Sequence, residues 1–121
     1  MAFKTLGFAS VVHLNGHYQK HGGSFGCADV KQYEAMADAF LGGPRQSSVI
    51  ECVRGAGDLC RFDTVTEAFG VLSASGQIRT FYRPIPCASV PVFNRAATKA
   101  AGLCHGNATN LLYFKAECAR W

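Results

Sequence analysis

The sequence has no run of about 18 apolar residues, the length a helix needs to cross a bilayer core, so no transmembrane span is expected. It also has no clear secretory h-region: Met1 to Val12 is interrupted by Lys4, Thr5, Gly7 and Ser10. No two of its six cysteines stand in the close C-x-x-C spacing of zinc sites and thiol redox motifs. Internal repeats and low-complexity tracts are missing as well. Charged residues are few, 17% of the chain against 49% apolar, which excludes a disordered segment and points to a globular fold.

What is present fits one domain spanning residues 1–121, long enough to bury a sizeable core without staples. The formal charge of +4 is compatible with a polyanionic partner without requiring one. The even set of Cys27, Cys52, Cys60, Cys87, Cys104 and Cys118 permits disulfides. The expectation, however, is free and mostly buried thiols, because Val53, Leu59 and Phe62 place Cys52 and Cys60 in or near sheet interiors.

The fold class expected is α+β: N-terminal helices packed on an antiparallel sheet of about four strands, plus a C-terminal helix. Residues 1–9 read as a strand or an arm. Ser10 is a plausible N-cap for a first helix that presents Val11, Leu14 and Tyr18 to a core, with Asn15-Gly16 interrupting it and Gly22-Gly23 stopping it. Asp29 caps a second helix, Val30 to Leu41, ended by Gly42-Gly43-Pro44. Four strand candidates follow, Val49 to Arg54, Leu59 to Asp63, Ala68 to Ser73 and Gln77 to Arg83, separated by glycine turns or short polar connections. Simple alternation in the last one puts Ile78, Thr80 and Tyr82 on one side and Arg79, Phe81 and Arg83 on the other. A long irregular segment from Pro84 to Gly106 holds a short helix candidate, Arg95 to Leu103. Asn107 or Thr109 caps a final helix, Asn110 to Arg120, with Leu111, Leu112, Phe114 and Cys118 inward.

One stretch stands out from this scaffold, His17-Tyr18-Gln19-Lys20-His21-Gly22-Gly23-Ser24-Phe25-Gly26. Packing alone has no use for two imidazoles and an ammonium within five residues, whereas a site that handles phosphate and moves protons does. On a helix, His13, His17 and His21 fall four apart on one face. That face is a possible zinc site in principle, but no carboxylate or close cysteine pair completes it, so no metal and no cofactor are expected.

Lys20-His21 with Phe25-Gly26, the strand bearing Phe69-Gly70-Val71 and the strand bearing Ile78-Arg79-Thr80-Phe81-Tyr82 together resemble the barnase, EndoU, colicin D and RelE-like superfamily of metal-independent ribonucleases. The Lys-His and Phe-Gly pieces are most similar to the colicin D-like tRNase branch, and the likeness extends over residues 17–82 and to the end segment Asn110 to Ala119. It implies that His21 is the catalytic histidine and Lys20 its phosphate-contacting neighbour. Thr80 and Tyr82 take the late-strand places of a hydroxyl and an aromatic, and Arg79 and Arg83 are further substrate contacts. Gln19 precedes Lys20 where colicin D carries more lysine, which bears on tRNA as the target.

The chemistry suits these residue types. RNA carries its own nucleophile, the 2′-OH, so cleavage needs a proton acceptor near neutral pH, cations for the phosphorane, and a proton for the 5′-oxygen. His21 fits general acid–base work, His17 one turn earlier fits the second proton step, Thr80 fits a phosphate donor, and Tyr82 fits a stacking platform for a base. The expected function is a toxin-like endoribonuclease giving a 2′,3′-cyclic phosphate. It is expected to act on RNA in the cytoplasm, delivered from another cell or carried by a mobile element such as a phage, and to be restrained by a cognate immunity protein or antitoxin. The alternatives are a non-catalytic RNA- or protein-binding accessory protein on the same scaffold and a secreted, disulfide-stapled domain. His105 reads as a surface loop residue, within reach of the rim of such a site as the alternative.

Overall fold

The computed structural model describes residues 4–120. The elements run α1 (Val11–His21), α2 (Val30–Gly42), β1 (Val49–Val53), β2 (Leu59–Asp63), β3 (Phe69–Leu72), β4 (Ile78–Tyr82), α3 (Val92–Ala100) and α4 (Asn110–Cys118). The four strands form one antiparallel sheet in the order β1-β2-β3-β4. The fold is α+β, with helices at both chain ends and the sheet between. The first residues of the chain, up to Phe3, lie outside the described part. From Leu6 the chain runs as an arm along the end of β4, with Leu6 N–H donating to the Gly76 carbonyl and Ile78 N–H to that of Gly7, each at 2.8 Å. The Asp38 carboxylate of α2 ties the arm down by accepting from the Lys4 and Thr5 backbone N–H groups and the Thr5 hydroxyl.

One face of the sheet packs on α1 and α2 through Phe8, Tyr33, Ala37, Leu41, Ile78 and Phe81. The buried Tyr33 hydroxyl donates to the Phe81 carbonyl, which locks α2 to β4. The other face carries Cys60, Phe62, Phe69, Val71 and the Phe114 ring of α4.

Several expectations change here for identifiable reasons. Helix α1 is unbroken through Asn15-Gly16, because the Ser10 cap on His13 N–H and the packing of Leu14 and Tyr18 outweigh the roughly 1 kcal/mol that a helical glycine costs. Val11 nevertheless faces solvent, at 71% exposure. In β4, Val71 pairs with Thr80 but Leu72 with Ile78, so Arg79 is an unopposed bulge residue. The bulge breaks the alternation: Ile78 and Phe81 both enter the α1/α2 core, whereas simple alternation set them on opposite faces. Helix α3 starts just after Pro91, earlier than Arg95, and ends at Ala100, two residues before left-handed Gly102 and earlier than Leu103. In α4, Leu111 and Leu112 point outward, and Phe114 is the buried anchor.

The cysteines depart most from expectation. Cys52 of β1 is bonded to Cys118 at the end of α4, and Cys87 to Cys104 across the α3 segment. Only Cys27 and Cys60 are free thiols. Proximity in space, not chain spacing, sets these pairs, since 66 and 17 residues separate the partners.

Candidate active site

Lys20 and His21 stand at the C-terminal end of α1, where a cation is favoured by the helix dipole. The turn after them is tight. A Cβ on buried Gly22 would meet the Tyr18 ring at 2.5 Å, so only glycine lets the chain close onto α1. A 3-10 turn over Gly22–Phe25 ends at Gly26, whose φ of 65° favours glycine. Phe25 then stacks on Phe81 at 4.3 Å and pins the turn to the core.

This turn forms one wall of a cleft of about 410 Å³. Lys20, His21, Tyr82 and Arg83 line that side, and Cys104, His105 and Tyr113 line the other. The His21 ring stacks on Tyr82 with centroids 5.0 Å apart, which fixes the imidazole plane. The Tyr82 hydroxyl is hydrogen-bonded to that of Tyr113, which also reaches Glu117 at 3.5 Å. Burial and the paired hydroxyl push the Tyr82 phenol well above its ordinary range, so it stays protonated. Burial and, next, the adjacent Lys20 ammonium hold His21 below the usual imidazole value, so the ring is neutral at physiological pH and ready to accept a proton.

The residues singled out from the sequence divide into two groups. Lys20, His21, Tyr82 and Arg83 meet in the cleft. His17 and Thr80 meet each other behind it, with Thr80 Oγ1 3.5 Å from His17 Nδ1, and neither lines the cleft. His17 Nε2 faces His13 Nε2 at 3.0 Å. Burial, then the charges of His13, His21 and Lys20, lower the His17 pKa to about 4, which matches a neutral ring donating to one neighbour and accepting from the other. Arg79 is not in the cleft: its Nε binds the buried Asp58 carboxylate at 3.0 Å, beside Arg54. Tyr82 has one ring face covered by His21, its hydroxyl engaged and Phe69 packed edge-on, so it serves as a support for His21 more readily than as a base platform. Among the described residues, no group of three or more His, Cys, Asp or Glu side chains gathers to hold a metal ion.

His105 and Tyr113 are the site residues that sequence reasoning undervalued. Their rings stack at 4.4 Å. His105 Nδ1 accepts from Asn107 N–H at 3.2 Å, so Nε2 carries the proton and donates to Asn110 Oδ1 at 2.8 Å. Both ring nitrogens are therefore occupied. The parallel bridge between Pro86 and His105 sets the loop in place. The only early sign was a histidine beside a cysteine, Cys104-His105, in a loop.

Set against known proteins, the chain matches no family model and no curated protein. The geometry of the cleft therefore carries the functional argument.

Proposed function

We propose that the chain is an endoribonuclease that cuts RNA by 2′-OH transesterification, in the manner of the metal-independent ribonucleases its motifs resemble. The observation that carries this reading is a neutral His21, oriented by Tyr82 and flanked by Lys20 and Arg83, in one nucleotide-sized cleft. His21 takes the 2′-OH proton as the alkoxide attacks phosphorus. Lys20 and Arg83 stabilise the negative charge of the phosphorane. The bond to the 5′-oxygen breaks, leaving a 2′,3′-cyclic phosphate and a 5′-OH. His105 has no free nitrogen and His17 lies outside the cleft, so the leaving oxygen takes its proton from solvent.

A toxin role restrained by a cognate inhibitor belongs to the same proposal, with tRNA as one candidate target. No helix among the described residues is long and apolar enough to cross a membrane. Two disulfides suit passage through an oxidising environment, which fits delivery from another cell. The same scarcity of free proton carriers favours one second reading, RNA binding without cleavage.

Incubation with total RNA in EDTA separates the two. Cleavage by the wild-type chain that falls by a factor of roughly 10² to 10⁴ in His21→Ala supports the enzyme. Intact RNA, or cleavage that survives the substitution, overturns it.

A further inference from the structure

A second cavity, of about 430 Å³, adjoins the first. Both are lined by Ser24, Arg83, Pro84 and Ile85, so the two are adjoining compartments that share these residues. The far compartment is polar where the first is aromatic: Thr66, Glu67 and Asn110 line it.

Asn110 is only 6% exposed, and it links the compartments. Its Oδ1 accepts from His105 on the wall of the first, and its Nδ2 donates to Glu67 Oε1 at 3.3 Å in the second. One Asn110 N–H and the second Glu67 carboxylate oxygen have no protein partner among the described residues. Glu67 is also the sole non-glycine described residue with positive φ, at 64°, in the β2–β3 turn. Such a conformation favours glycine. A glutamate at this place bears a backbone cost that glycine avoids, which points to a use for its carboxylate.

We propose that this second compartment is the subsite for the ribonucleotide flanking the cleaved one, and that Glu67 and Asn110 read its base edge. The proposal rests on reading the first compartment as an RNA-cleaving site. The phosphodiester passes between the compartments at Arg83, an exposed residue whose guanidinium donates to the Ser24 carbonyl at 2.6 Å and lies 5.1 Å over the Phe25 ring. The carboxylate accepts hydrogen bonds only, so the subsite selects a base edge rich in N–H donors. A lone negative charge is tolerated beside a polyanion because it meets the base, not the phosphate.

The test uses 2′-deoxy mono- and dinucleotides, which lack the nucleophile and so report binding alone, together with mapping of cut sites on total RNA. In the wild-type chain the second nucleotide tightens binding at least tenfold, roughly the gain of one or two good polar contacts. Glu67→Gly keeps the left-handed backbone and removes the carboxylate. It retains mononucleotide binding and a cooperative unfolding transition but loses the dinucleotide gain and the flanking-base preference. Glu67→Gln, which presents a donor where the carboxylate only accepts, changes the preferred base. An unchanged dinucleotide gain and an unchanged cut pattern in both variants overturn the subsite and leave the cleavage reading standing. A wild-type chain that cuts no RNA overturns the cleavage reading, and the subsite with it.

Discussion

The two walls of the cleft are built by different means. The wall bearing Lys20 and His21 rests on α1, α2 and β4, whose Phe8, Tyr33, Leu41, Ile78 and Phe81 form a continuous buried core without a disulfide. The facing wall bears His105 and Tyr113 on the segment after β4. There α3 buries no residue, and Val92 and Phe93 are 77% and 86% exposed. Cys87–Cys104 and Cys52–Cys118 hold that wall, helped by Arg95, which donates to the carbonyls of Cys87, Ala88 and Val90. The first wall is positioned by packing, which is cooperative with the whole fold. The second is positioned by covalent links added to the Phe114 anchor of α4, and those links can be cut separately.

The contrast breaks most visibly at Phe81. Phe81→Ala removes a ring that Tyr33, Phe25 and Phe40 all touch, and should cost about 3–5 kcal/mol, read as a lowered denaturant midpoint with loss of activity. A small change in midpoint would mean that the core does not carry this wall. Cys87→Ala with Cys104→Ala should cost about 3 kcal/mol by loop-closure entropy. Cleavage should fall while the His21 and Tyr82 ring signals in NMR stay near their wild-type positions. A parallel collapse of those signals would mean the walls are not separable.

The smallest effect is a pH dependence. Folded His17 stays neutral down to about pH 4, whereas the unfolded ring binds its proton near 6.5. The unfolded state therefore gains protons as pH falls through this window, and stability declines from about 6.5 toward 4. His21 contributes with the same sign. His17→Gln should flatten this decline without shifting the loss expected below it, where the lowered Asp38 and Asp63 carboxyls take up protons. An unchanged slope between pH 6.5 and 4 would show that His17 is not held neutral.

Legibility followed the same division. Caps at Ser10 and Asp29, Thr109 of the two candidates before α4, and the strand periodicities mark the elements because they are local signals. The bulge at Arg79 is not local: it depends on how β3 and β4 pair, and it moves Ile78 to the opposite face from the one alternation gives. Residue type and spacing marked Lys20 and His21, the family resemblance pointed to Tyr82 and Arg83, and the structure brings the four to one cleft. His17 and Thr80 have suitable chemistry but sit behind the cleft, a matter of helix position against a sheet edge. Tyr113 and Glu67 went unremarked, and His105 stood out only as a loop residue near a rim, because these side chains come to line the two compartments only once two disulfides and one buried asparagine bring distant loops together.

On the proposed reading, His21 in this cleft drives cleavage through the 2′-OH. Phosphorus NMR of RNA digested by the purified, disulfide-intact chain in EDTA tests it most directly. A 2′,3′-cyclic phosphate signal that grows with time, and is lost in His21→Ala, is the expected result. Digestion that yields only linear 3′- or 5′-phosphates from the outset, or a cyclic signal undiminished in His21→Ala, would contradict it.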